Sequence, residues 1–176
     1  ERGQRSPHDP KKYMLALKRR VPAPDVIALT YLDEAVGAWS AGLYRSSAVM
    51  LGCACERLVL LLAEAVSKVG GTHAAKVSKV AASVPTKISS LFDAIRNALL
   101  ALEGSQKLPG NLRDALDRKL SAVFDHARGL RNQSGHPTAA EVSDQDAEAG
   151  LLLFPGFCAL IYDLIGHLDG TAAQGG

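Results

Sequence analysis

Aromatic residues are scarce in this 176-residue chain, at 5% of positions, and Trp39 is the lone tryptophan, a core anchor in preference to a base-stacking platform. Strand signals are missing too. No segment sustains apolar/polar alternation with β-branched enrichment, which excludes a sheet as the organising element. There are only three cysteines. Cys53 and Cys55 lie two apart in a helical segment and point to nearly opposite sides, so they can neither bridge nor chelate together. All three read as small buried hydrophobes of a reducing compartment. The uncharged apolar stretch Gly150 to Tyr162 has 13 residues and includes Pro155. A membrane helix needs about 20, so no span is expected. The opening Glu1-Arg2-Gly3-Gln4-Arg5 lacks the apolar stretch of a secretory signal, and cytoplasmic residence is the expectation. The first residue is not methionine, so a piece of a longer or trimmed chain is expected.

Familiar site motifs are likewise absent. Without GxxxxGK[ST] or GxGxxG there is no phosphate cradle of those kinds, and HExxH, zinc-spaced Cys/His clusters and GxSxG are missing. No metal or cofactor is expected.

What remains is an ordinary globular composition, with 47% hydrophobic and 22% charged residues. A chain of this size buries roughly two-thirds of its unfolded surface and folds without disulfides or metal. Its net charge of +2 hides an asymmetry: residues 1–20 carry seven Lys/Arg against Glu1 and Asp9, while the other 156 carry thirteen basic and sixteen acidic residues. Residues 1–22 therefore read as a basic, flexible arm, either solubilising or drawn to phosphate. A single domain over 23–169 and a flexible tail over 170–176 complete the organisation.

The periodicity is helical almost throughout, which predicts an all-α, up-down bundle of four to five long helices. The first spans about Pro24 to Ser40, with Asp25 at its positive end and Ile27, Tyr31, Ala35 and Ala38–Trp39 facing inward. Gly42 breaks it. The second, about Tyr44 to Val69, is apolar on most sides and should sit centrally. Glu56 and Arg57 interrupt it, and a charge on a mostly buried helix needs a partner. Residues 72–86 are ambiguous, a short amphipathic turn at most. Lys68, Lys76, Lys79 and Lys87 have no acid between them and form either a basic flank for phosphate or a solvated loop. A third helix covers about Thr86 to Glu103, ended by Gly104. The fourth starts at Asn111 with Asp114 as a capping box, and the fifth follows Ser143-Asp144-Gln145-Asp146, bent at Pro155.

The end of the fourth helix carries the chemistry. In Arg131-Asn132-Gln133-Ser134-Gly135-His136-Pro137, Pro137 pushes His136 out of helical dihedrals and Gly135 eases a reversal. A helix broken over 133–135 would let the imidazole swing back toward Arg131. Arginine gives a permanent bidentate grip on phosphate, and histidine exchanges a proton near neutral pH. Cations in a last turn also suit the helix dipole, so capping is the competing reading. His126, five residues before Arg131, borders the same cleft or packs at the core edge. His73 and His167 read as exposed.

Arg131-Asn132-Gln133-Ser134-Gly135-His136 matches the R-N-x-x-x-H form of the R-x(4–6)-H motif of HEPN domains. Gly42-Leu43-Tyr44-Arg45 through Ala54-Cys55-Glu56-Arg57-Leu58 is similar to the "G-x-Y-R-x-A … A-x-E-x-L" helix of an uncharacterised prokaryotic HEPN-like family. The resemblance covers about residues 25–168, carried by these two segments alone. It implies a HEPN-like bundle and a metal-independent endoribonuclease with the motif at a homodimer interface. In that scheme His136 carries the proton for attack of a ribose 2′-hydroxyl on the adjacent phosphate, and Arg131 stabilises the charge developing on the phosphoryl oxygens. The products would be a 2′,3′-cyclic phosphate and a 5′-hydroxyl. Asn132 would orient the histidine or hold the loop. Glu56 falls at a polar position near the motif arginine, so a Glu56–Arg131 pair would satisfy the buried charge. A toxin or phage-defence component with an antitoxin partner is one setting. The alternative is an inactive HEPN-like module that dimerises and binds RNA or protein.

Overall fold

The computed structural model describes residues 6–21, 23–83, 87–104, 107–135 and 141–172, and every regular element among them is helical. The helices are α1 (Pro10–Arg20), α2 (Val26–Ser40), α3 (Tyr44–Lys68), α4 (Gly71–Ala81), α5 (Ile88–Leu100), α6 (residues 110–135) and α7 (Asp144–Ala172). The rod α6 is continuous but changes its winding, from an α-helical Gly110–Ala115 through a π-helical Leu116–Leu120 to an α-helical Ser121–Gly135. The all-α character matches the expectation. The described residues form seven rods instead of four or five.

One added rod lies in the segment expected to be a flexible basic arm. Asp9 caps α1 by accepting the Lys12 amide at 3.0 Å, and Pro10 takes the first-turn position it suits. Tyr13, Leu17 and Val21, spaced by four, are buried. Each such burial stabilises by roughly 1.5–3 kcal/mol, which offsets the cost of ordering a charged segment. The other added rod is α4, in the stretch left ambiguous.

Several ends follow local chemistry. Asp25 caps α2 through the Ala28 amide at 2.9 Å. Gly42 adopts φ +74, while the Gly42 and Leu43 amides return to the carbonyls of Trp39 and Ala38 at 2.9 and 2.8 Å. That double return is the Schellman closure. Ser143 and Asp146 form a reciprocal box at the start of α7, with N–H···O contacts of 3.1 and 3.3 Å. Other expectations are corrected. No side chain caps α6, which follows Pro109, so Asn111 is not its cap. The third helix stops at Leu100 with Ala101 as its cap, short of Gly104. The buried stripe of α2 is Ala28, Leu32, Ala35, Val36 and Trp39, leaving Ile27 half exposed. Cys55 and Cys158 are buried, but Cys53 is only half-buried.

Pro155 lies inside the unbroken α7. Lacking an N–H, it leaves the carbonyl four residues earlier, Leu151, without its helical donor. The Tyr13 hydroxyl donates to that carbonyl at 2.6 Å in a buried setting. Glu148 of α7 approaches His8, just ahead of α1, at 3.3 Å, and Arg20 acts on the Cys158 thiol, which burial pushes up to about 12. Partner numbers rise together, so α1 lies alongside α7 in the same direction.

The 13-residue count understates α7. Residues Asp144–Gly170 are long and apolar enough to cross a bilayer by length and composition alone. Run counting stops at the isolated Asp163, whereas the average over the helix does not. Of its most apolar window, 56% is buried inside the protein, a property shared by core helices of bundles.

The chain divides into two compact units. One comprises residues 1–57 and 121–159, the other 58–120 and 160–176, with boundaries inside α3, α6 and α7. In the second unit α4 packs against α5, with Val77, Leu91 and Ile95 buried. The tail 170–176 is helical through Ala172, and residues 173–176 lie outside the described part.

Candidate active site

In the first unit, Arg131 projects from the last turns of α6 onto α3. Gly52 makes room for it: a Cβ there would lie 2.8 Å from both Cβ and Cδ of Arg131 and 3.1 Å from its Cγ. The aliphatic stem thus rests on bare backbone. One turn further along the same face, Glu56 Oε1 stands 2.9 Å from Arg131 Nη1. Glycine seats the stem and glutamate faces the head.

The pair is asymmetric. Glu56 exposes 21% of its side chain and Arg131 39%. Oε1 is enclosed, and although the distance is short, the approach is not aligned as a hydrogen bond. It is a charge contact. Burial pushes the Glu56 carboxyl above its ordinary range, and the Arg131 guanidinium draws it back only in part. The neighbouring Arg57 is paired in the opposite sense. Its Nε and Nη2 donate to Asp25 Oδ1 and Oδ2 at 3.1 and 2.9 Å, and these bonds hold the Asp25 carboxyl below the usual carboxylate range. Consecutive charges on α3 are therefore answered by α6 on one side and by the cap of α2 on the other.

Asn132 is exposed on the next position of α6. The helix is not broken over 133–135, as was expected, but stays helical through Gly135, and the Ser134 hydroxyl donates back to the Leu130 carbonyl at 2.7 Å. His136 and Pro137 lie outside the described residues. One turn before Arg131, Arg128 sits 3.7 Å from Asp125, and its enclosed Nε has no hydrogen-bond partner. His126 is half-buried and turned elsewhere: a Cβ on Gly150 of α7 would lie 3.8 Å from its Nε2.

The structure thus brings Glu56 and Arg131 together, and leaves Asn132 exposed on the neighbouring position of the helix. Lys68, Lys76, Lys79 and Lys87 are all exposed and belong to the second unit, where Lys76 lines a shallow groove with Thr72, His73 and Asn97. Residue reasoning missed Gly52 and the Asp25–Arg57 pair. A glycine four residues before a charge in an otherwise apolar helix was the available signal for the first. Among the described residues, no group of three or more His, Cys, Asp or Glu side chains is placed to hold a metal ion. No known family, curated protein or solved structure matches the chain.

Proposed function

We propose that the chain is a metal-independent endoribonuclease of HEPN type, working in the cytoplasm as a homodimer in which two Arg131/His136 pairs face one cleft. The observation that supports this most is the seating of Arg131: stem on Gly52, head against Glu56, at the end of the helix that leads into His136. A guanidinium fixed in this way keeps its outer N–H donors in one place, as electrostatic stabilisation of a pentavalent phosphoryl group requires.

In the proposed reaction His136 accepts the proton of a ribose 2′-hydroxyl as its oxygen attacks the adjacent phosphorus. Arg131 stabilises the negative charge that grows on the non-bridging oxygens. The bond to the 5′-oxygen breaks, and that oxygen takes a proton from the imidazolium of the facing His136. A 2′,3′-cyclic phosphate and a 5′-hydroxyl result. Proton transfer and charge stabilisation both come from side chains, so EDTA is expected to leave the rate unchanged. A toxin or phage-defence role with an antitoxin partner fits this activity.

A second reading is favoured by the engagement of Arg131 with Glu56. If the pair only locks α6 to α3, the protein is an inactive module that dimerises and binds RNA or protein. Incubating purified protein with total RNA separates the two. The nuclease reading expects cyclic-phosphate ends that disappear in Arg131→Ala and His136→Ala, with helical content unchanged. Cleavage that persists in both variants, or none from the native chain, refutes it.

A further inference from the structure

We propose that α1 is a second contact surface, a cationic rail for the phosphodiester backbone of RNA, outside the Arg131–Glu56 site. Its inward positions are spent on Tyr13, Leu17 and Val21, which are 1–3% exposed. Its outward positions carry Lys11, Lys12, Lys18 and Arg19, all exposed, while Arg20 flanks the inward face near Cys158. Among the described residues the ion pairs found for this helix reach only Lys12, held by Asp9 at 2.9 Å; the Lys11 charge also acts on Asp9, and no ion pair is found for Lys18 or Arg19.

Helix stability accounts for Lys18, Arg19 and Arg20 but not for the cations at the other end. Cations in the last turn complement the dipole, but Lys11 and Lys12 stand in the first turn, where positive charge is disfavoured. Nor are the charges on a loose tail. The Tyr13–Leu151 bond, the Asp9 cap and the buried stripe hold the helix along α7, so its cations are displayed from a fixed scaffold. From Lys11 to Arg19 the axis rises about 12 Å, long enough to meet more than one phosphate of a strand laid along it. The remaining 156 residues carry a net charge of −3, so the chain's excess of positive charge lies within its first twenty residues.

An anionic membrane would recognise the same charge, but an interfacial helix also needs a broad apolar face. The outward side of α1 offers one large apolar residue, Leu15, at 55% exposure. The structure therefore favours a polyanion in water, and the choice of RNA rests on the endoribonuclease reading.

The test measures binding of the full chain to labelled 2′-O-methyl RNA, which lacks the nucleophilic hydroxyl and stays intact, across a series of salt concentrations. Phosphate-backbone contacts make log K fall with log salt by about 0.7 per contact for a single strand. A K11A/K18A/R19A variant is expected to lose affinity about tenfold at low salt and about 2 in slope, with its circular dichroism unchanged. Equal slopes for variant and native chain overturn the rail, as does binding only to phosphatidylserine vesicles. The two proposals fail separately. Lost α1-dependence with RNA cleavage intact removes the rail alone, and α1-dependent binding without any cleavage removes the nuclease alone.

Discussion

Because Arg131 lays its stem within 2.8 Å of where a side chain at position 52 would begin, Gly52→Ala sets a methyl against Cβ and Cδ of a helix-borne residue. The arginine's own Cβ cannot swing away, so α3 and α6 must separate. Overpacking of this kind costs about 1–3 kcal/mol, to be read as a lower urea midpoint, and the proposed cleavage should fall with it. Unchanged stability would show that α6 yields freely. The carboxylates of the two ion pairs made by α3 bend stability with pH in opposite directions. Glu56 has a raised folded pKa, so its contribution is fully present below its unfolded value of about 4.3 and is lost as pH rises through the folded one. Asp25 is depressed, so its contribution is present above about 3.9 and is lost as pH falls through the folded value. Urea midpoints should show Glu56→Gln gaining on the native chain as pH rises above about 4.3, and Asp25→Asn losing its deficit only in strong acid, as pH falls below about 3.9. Differences that stay constant with pH contradict both assignments. Glu56 was legible in the sequence, since a charge inside an apolar run demands a partner. The seat at Gly52 was not, because clearance depends on what lies opposite. The Asp25–Arg57 pair spans 32 positions, beyond any local pattern.

At the level of elements, α1 and α7 depend on one another through a missing amide. Pro155 frees the Leu151 carbonyl, and Tyr13 is the donor that reaches it. Tyr13→Phe leaves a buried acceptor unsatisfied and should destabilise by about 1–3 kcal/mol. Pro155→Ala restores an N–H to the helix, so the tyrosine hydroxyl becomes redundant. A double-mutant cycle by urea denaturation should then show Tyr13→Phe costing distinctly less in the Pro155→Ala background, a coupling well outside the few tenths of a kcal/mol expected of independent sites. Additive costs would mean that Tyr13 does not stand in for the amide that Pro155 lacks. This contact also explains why α1 was misread as an arm. Its apolar spacing of four was present, but seven cations in twenty residues dominated the segment, and the docking partner lies 138 positions away. Helices with strong apolar periods, such as α3 and α5, were legible to within a few residues. The π-helical turn Leu116–Leu120 was not, since its residues fit an ordinary α-helical period equally well.

For the molecule as a whole, the nuclease reading makes a demand that no single protomer can meet. The guanidinium of Arg131 already faces Glu56, and one imidazole cannot both accept the 2′-hydroxyl proton and already be the acid at the 5′-oxygen. Two facing pairs divide these tasks. Activity per protomer should therefore be constant while the dimer persists and fall in proportion to concentration once dilution passes its dissociation constant. Sedimentation equilibrium supplies that constant independently of any RNA. An excess of Arg131→Ala chain mixed with the native chain should depress activity beyond simple dilution, because native subunits are captured into mixed pairs holding one guanidinium. If specific activity stays level far below the measured dissociation constant, and the variant chain merely dilutes, one protomer suffices for cleavage and the shared cleft must be abandoned. The Arg131–Glu56 contact would then be read as a lock between α3 and α6.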